Sequence, residues 1–505
     1  MKISTNLSLS KNQTFGRRLN KNEEQGYKAT IQQGLQEIDK ELGIIIHNST
    51  APSDPNKNTG VGSLLSENTI DNVIPFLALH GITTIQQEPN NYRRSWDPSP
   101  YSPLTTGKNA LMIPLEKLAS DEYGNILTTS TFDDIVENRP NKEEGKFDFG
   151  YVVESYDRAL QEAYMNFLLA SKTAEPDSTI GKLAAEFAEY KAQNSEEQEP
   201  EAIFEILSKE HKTDDWKTWP EVDRNLYNAT TEEGVAAANA RLTQIRTDLD
   251  DNIGFYYFKQ MLADKEIDAA NKANEKSGIR IIADSPVAFT PVEEWQNQDL
   301  FLKDVALGCP PDIFAPEGQR WGFSVLNPEK IFNKDGSLGP AGKLMQKRYE
   351  KMFASSSGGA RIDHVIGLVD PYVYSTKEDQ MTPENSGRLY SSPNHPMFGD
   401  FEKKSIEEYK AILEKIVIPA AEKYGLTKKD IICEDLGQPN VPTQNVMKAL
   451  ELCGITVTQF GDRGQDTPAQ KVIMIGSHDN KSLIEYCHEL FDKAAKSSEE
   501  KKQPW

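Results

Sequence analysis

The sequence predicts an α/β fold: a (β/α)8 TIM barrel with helical insertions, either complete or lacking its last strand–helix unit. Three observations lead there. Short, fully apolar runs alternate with amphipathic helical stretches through the last half of the chain, the pattern of a parallel sheet covered by helices. Three of those runs deliver an acid where they stop, in RIDH (Arg361 to His364), CEDLG (Cys433 to Gly437) and GSHDN (Gly476 to Asn480). No GxGxxG or GxxxxGK[ST] stands at a strand–helix junction, so a nucleotide site has no support.

The elements follow in order. LGIIIHN (Leu42 to Asn48) reads as a first buried strand and its loop. Helical spacing of Ile70, Val73, Ile74 and Leu77 predicts a helix over Asn68 to Leu79, and ITTIQQEP reads as the second strand. The next loop, NNYRRSWDPSPYSPLTTG, is rich in aromatics and proline, and long ordered loops of this kind are commonly functional. Between Tyr151 and Lys276 apolar residues recur at three or four, so the block reads as helices, with NSEEQEPE expected as a charged surface loop. The last of these helices should end at Gly278. Strands are then expected at GIRIIAD, ARIDH, DIICED, ITVTQF and KVIMIG, with helices at IEEYKAILEKIVIPAAEKYG and TQNVMKALELCG between them. We expect one catalytic barrel domain over residues 1–505, a helical insertion at about 150–255 and a second loop insertion at about 370–405.

Composition narrows the function. A net charge of −22 argues against nucleic acid and anionic membranes as partners and suits a neutral substrate, although solubility alone also explains it. The four cysteines stand far apart with no metal or redox spacing, as expected of reduced thiols in the cytoplasm. MKISTNLSLSKNQ lacks the apolar core of a signal peptide, and no apolar run reaches the roughly 18 residues of a membrane span.

In a barrel the strand C-terminal ends converge on one face, where catalysis occurs. Asp284, Asp363, Glu434 and Asp479 sit at such ends. Arg361 lies two residues before Asp363 on the same side of its strand, where it would hold that carboxylate ionised, as a nucleophile requires. Glu434 follows Ile431, Ile432 and Cys433, an apolar setting that favours the protonated form of a general acid. One carboxylate as nucleophile and another as acid/base, about 5–5.5 Å apart, is the retaining glycosidase arrangement, and it needs no metal or organic cofactor. Tyr92, Trp96, Tyr101 and Trp321 offer flat platforms for sugar rings. Each piece also has a structural reading: Asp363 and His364 as a turn cap, Glu434 and Asp435 as a helix start favoured by the dipole, His478 and Asp479 as metal ligands, Tyr101 as core.

At these residues the chain resembles the amylomaltase family, the 4-alpha-glucanotransferases or disproportionating enzymes of the alpha-amylase clan. SPYSPLTTGKNALMIPLEKL, FYYFKQ through GIRIIADSPV, and CPPDIFAPEGQRWG resemble the family's early substrate loop, central helix and strand, and mobile loop. RIDH, CEDLG and GSHDN follow in the family's order, and the similarity runs from about residue 42 to 490. The resemblance implies Asp363 as nucleophile, Glu434 as general acid/base and Asp479 as transition-state stabiliser. It implies that Arg361, His364 and His478 hold sugar hydroxyls and the nucleophile, and that Tyr101, Asp312 and Trp321 line the subsites. The implied partners are maltooligosaccharides or other alpha-1,4-glucans, and the implied reaction is transfer of glucan segments between them. An alpha-glucan hydrolase of the same clan and a catalytically inactive glycan-binding relative are the alternatives. Ile313 stands where the family carries Tyr, and Ile366 where an Arg follows RIDH and one further residue.

Overall fold

In a computed structural model, the described residues are 42–94, 97–142, 147–311, 315–391, 406–436 and 440–457, with short stretches at 25–26, 29–30, 33, 459, 471–474, 476–477, 480–481 and 485–493. Among the described residues, seven parallel strands form the barrel wall: β1 (Gly43–Ile45), β2 (Thr84–Gln86), β3 (Arg280–Ser285), β4 (Ala360–Ile362), β5 (Ile431–Cys433), β6 (Gly454–Val457) and β7 (Lys471–Met474). The first five are hydrogen-bonded neighbours in chain order, as are the last two. A parallel bridge between Ile432 and Cys453, with the Cys433 N–H donating to the Cys453 carbonyl at 2.8 Å, joins the two groups. This is the strand order the apolar runs predict.

Most residues of the inner strands are apolar because both faces of the sheet are covered there, whereas Gly43 and Ile44 of β1 are exposed. Ala360, Ile362, Ile431 and Cys433 turn outward into a core shared with helices Pro340–Ala354, Val441–Leu450 and the helical run from Ile406 to Glu422. Ile432 turns inward to meet Ile282, Ile455 and Val457. Register makes the ends level. Ser285 pairs with Ile362, and Ile362 with Cys433. Asp363 and Glu434 are the next residue out on adjacent strands, so both leave the sheet at one height.

Four long helices, Phe149–Ser171, Thr179–His211, Glu232–Asp248 and Asp250–Lys276, stand between β2 and β3. Side chains open three of them: Asp148 accepts from the Tyr151 N–H, Ser178 from Gly181 and Thr231 from Gly234. The last ends at Gly278, whose φ of 73° only glycine adopts freely.

NSEEQEPE is not a surface loop. It lies inside the helix Thr179–His211, with Pro200 in the helix interior. Its acids are paired across to other elements: Glu197 with Lys351 at 2.5 Å, Glu199 with Arg246 at 2.7 Å and Glu201 with the Tyr256 hydroxyl at 2.6 Å. Those long-range partners outweigh the broken helix bond at proline, and local composition cannot reveal them.

A second sheet was not foreseen from the sequence. Phe301–Cys309 and Gln319–Leu326 form an antiparallel hairpin, extended by Tyr372–Ser375 and Ser386–Arg388. It carries Trp321 over the barrel mouth. Among the described residues, no helix is long and apolar enough to cross a membrane.

Gly359 opens β4 with a φ of +96°, and a β-carbon there would lie 1.9 Å from the Asp430 carbonyl oxygen. We predict that Gly359→Ala destabilises the fold by about 2–4 kcal/mol, read as a lowered urea midpoint with an unchanged slope.

Candidate active site

Five successive strand ends each present an ionisable side chain to the barrel mouth: His47 after β1, Glu88 after β2, Asp284 in β3, Asp363 after β4 and Glu434 after β5. Arg361 organises the centre of this row. Its Nη1 donates to both Asp284 oxygens at 2.8 and 3.0 Å, and its Nη2 lies 2.9 Å from Asp363 Oδ1. The Arg361 and Asp284 side chains are buried, while Asp363 is 19% exposed and so reachable from the mouth. The two carboxylates hold Arg361 firmly protonated, well above the ordinary arginine range. Burial lifts the Asp284 carboxyl, and Arg361 and the Tyr101 hydroxyl oppose the lift. That hydroxyl donates to Asp284 Oδ2 at 2.7 Å.

Glu434 is buried beside this group. Its Oε2 accepts from the His364 backbone N–H at 2.9 Å, and its Oε1 from the Leu436 N–H at 2.7 Å. Both bonds favour the carboxylate, as does nearby Arg361. Burial and the negative Asp363 favour the acid and prevail, pushing Glu434 up to about 7. The apolar approach to Glu434 in the sequence anticipates this direction; the contribution of Asp363 needs the folded chain. The adjacent Asp435 has a structural task, accepting from the Ile455 N–H at 2.9 Å and so tying β5 to β6.

His364 sits at a φ of 43°, a left-handed conformation in which its N–H reaches Glu434. Its ring meets Trp321 edge-on, centroids 4.9 Å apart. Burial, with the charges of Arg388 and Arg361, pushes it down to about 4, so the ring is neutral. Its buried Nε2 has no hydrogen-bond partner among the described residues. An unsatisfied buried nitrogen costs about 1–3 kcal/mol unless something pairs with it, and a sugar hydroxyl has the right chemistry.

The structure thus brings together Asp363, Glu434, Arg361, His364, Tyr101 and Trp321. Asp312, His478, Asp479 and Trp96 lie outside the described residues. Tyr92 packs against the buried cluster of the helical block, with the Lys259 ammonium 5.1 Å from its ring centroid. The sequence reading missed His47 and Glu88 at the first two strand ends, the second arm of Arg361 on Asp284, and Arg388, brought near His364 by the unforeseen antiparallel sheet. IIAD marked Asp284 as a strand end, but nothing local named its partner.

A parallel α/β barrel with an arginine-paired aspartate and a proton-retaining glutamate on adjacent strand ends belongs to the paired-carboxylate enzymes. Within that class, the chain belongs to the 4-alpha-glucanotransferase family, glycoside hydrolase family 77, which matches residues 51–504. It is 24% identical over 89% of its length to a 4-alpha-glucanotransferase of Thermus thermophilus, covering 80% of that protein. The chloroplastic/amyloplastic 4-alpha-glucanotransferase of Solanum tuberosum is also 24% identical, over 88% of this chain and 69% of the relative. The fold is shared with the amylomaltase of Streptococcus agalactiae solved with acarbose, at a TM-score of 0.70 and 17% identity over 92% of this chain and 85% of the other. The Corynebacterium glutamicum amylomaltase superposes at 0.62, with 18% identity over 91% and 58% of the two chains.

Glu434 labelled with carbon-13 should titrate near 7 by NMR, because its folded-state value is raised to about 7. In Asp363→Asn its midpoint should fall, since a raising charge is removed. An unchanged midpoint would show that Asp363 does not act on it.

Proposed function

We propose that the chain transfers alpha-1,4-glucan segments between maltooligosaccharides by a retaining double displacement, the activity of its family. The observation that carries this reading is the pairing of an ion-paired Asp363 with a Glu434 that keeps its proton near neutrality, linked through the His364 N–H. Glu434 protonates the glycosidic oxygen while Asp363 attacks the anomeric carbon, giving a covalent glucosyl-enzyme and a departing glucan with a free 4-hydroxyl. Glu434, now a carboxylate, takes the proton of an acceptor 4-hydroxyl as that oxygen displaces Asp363. Two inversions return the original anomeric configuration.

Arg361 keeps the Asp363 carboxylate oriented and ionised between turnovers. The His364 Nε2, which has no partner among the described residues, accepts from or donates to a sugar hydroxyl, and Trp321 supplies a flat apolar face beside it. Tyr101 lines the donor side through its bond to Asp284. Asp479 as stabiliser of the oxocarbenium-like charge, His478 as a sugar ligand and Asp312 as a subsite residue rest on the family resemblance. The whole chain acts as one catalytic domain, with the helical block near 150–255 and the segment near 370–405 as insertions, and works in the cytoplasm.

Incubation with maltotriose should yield glucose and a ladder of longer oligomers, whereas shorter products alone would mean hydrolysis. Asp363→Asn should lose on the order of 10⁴-fold or more of this activity and still bind oligosaccharide by calorimetry; equal turnover would rule out Asp363 as nucleophile. Acid catalysis needs the Glu434 proton, which is present below its raised value and lost above it. The rate should therefore fall as pH rises through about 7. A rate that stays level from pH 6 to 9 would exclude Glu434 as the acid.

A further inference from the structure

Tyr101 reaches Asp284 from the loop that joins the antiparallel strands Asn91–Arg93 and Pro103–Lys108, after the second barrel strand. Loops are held in place by what their backbone carbonyls and ends are tied to. Here two consecutive arginines hold carbonyls on either side of Tyr101. Arg93 donates through Nη1 to the Pro98 carbonyl at 2.9 Å, and its Nη2 pairs at 2.8 Å with Glu88 at the barrel rim. Arg94 donates through Nη1 to the Ser102 carbonyl at 3.3 Å, and its Nε pairs with Asp214. The first anchor is rooted in the barrel. The second is rooted in the helical insertion.

Asp214 stands on a rigid base. It lies in the turn after the helix Thr179–His211, and its carbonyl accepts from the Trp216 N–H at 3.0 Å. Trp216 and Trp219 are buried in a core that also contains Phe204, Trp295 and, from the strand after the loop, Leu104. The Trp219 indole donates to the Thr213 carbonyl at 3.0 Å, fixing the residue beside Asp214. A guanidinium forked between a carboxylate and a carbonyl is stiff, because both contacts use one planar group.

We propose that Asp214 is a positioning residue for the active site: through Arg94 it clamps the Ser102 carbonyl and so sets the Tyr101 hydroxyl on Asp284. The helical insertion is then part of the catalytic apparatus. Its effect on transfer rests on the function proposed above, but the placement of Tyr101 does not. Misplacement of a site group by about 1 Å is enough to cost a large factor in rate.

The test places 3-fluorotyrosine at position 101 and follows its fluorine resonance in Asp214→Asn and in Asp215→Asn. Asp215 belongs to the same turn and accepts from the Lys217 N–H at 3.3 Å, a bond that Asn can also accept, so its variant makes the same charge change in that turn. The expected result is a shifted or broadened line in Asp214→Asn and an unchanged line in Asp215→Asn. No change in either, or equal change in both, overturns the proposal. Should Asp214→Asn not fold, Arg94→Gln is read in its place with the same expectation. In maltotriose transfer, Asp214→Asn should lower kcat/KM about tenfold in the native background and less than about twofold in Tyr101→Phe. Equal losses in both backgrounds would assign Asp214 a general structural role and sink the proposal. A native protein without transfer activity would instead remove the function reading, and the fluorine result would still decide the clamp.

Discussion

A guanidinium buried between two carboxylates is the constraint on which the rest of the barrel mouth depends. Arg361 binds Asp284 with one nitrogen and Asp363 with the other, and both acids come from neighbouring strands. Taking such charges out of water is expensive, and breaking a buried pair by removing one partner typically costs about 3–5 kcal/mol. The arrangement persists because both terminal nitrogens of Arg361 are paired and the Tyr101 hydroxyl occupies a further acceptor site on Asp284. The same bonds freeze the carboxylate of Asp363 in one direction. Stability and chemistry here have a common source.

Glu434 shows how a second acid can differ from the first within one small site. Two backbone N–H groups and Arg361 draw it towards the carboxylate, and burial next to Asp363 draws it the other way. Its near-neutral balance lets one group give a proton in the first displacement and recover one in the second. Asp363 differs in having the Arg361 guanidinium in direct contact, 2.9 Å from its Oδ1. Pairs of acids driven apart in proton affinity by their surroundings are how a barrel obtains a nucleophile and an acid from similar side chains.

The helical block between the second and third barrel strands is held together, and to the segment that precedes it, by buried charge as well as by apolar packing. Glu205 receives Lys259 at 3.1 and 3.2 Å, and Lys259 also lies over the rings of Tyr92 and Phe255. Glu266 receives Lys117 at 2.6 Å and the Tyr123 hydroxyl. Glu201 takes the Tyr256 and Thr106 hydroxyls, the latter on the strand that follows the Tyr101 loop. Apolar contacts tolerate small slides. Charged hydrogen bonds in a dry interior do not, so these pairs fix the register in which the block meets the loop.

Apolar runs, the helix stop at Gly278 and strand-end acids were legible because each depends on residues a few positions apart. The barrel strand order follows from β1 to β7, and Asp363, Glu434 and Arg361 were marked by their places at strand ends. What a few neighbouring residues cannot specify is who meets whom across the sheet. Arg361 finds Asp284 across 77 positions because register aligns the two strands, and Tyr101 finds Asp284 across 183 because a loop folds back. The same limit turned NSEEQEPE from an expected loop into helix and hid the antiparallel sheet that carries Trp321. Sequence by itself determined the class of fold and which side chains carry charge. Tertiary structure decided which of those charges are buried, paired and opposed, since desolvation and Coulomb energy depend on distance in space rather than along the chain.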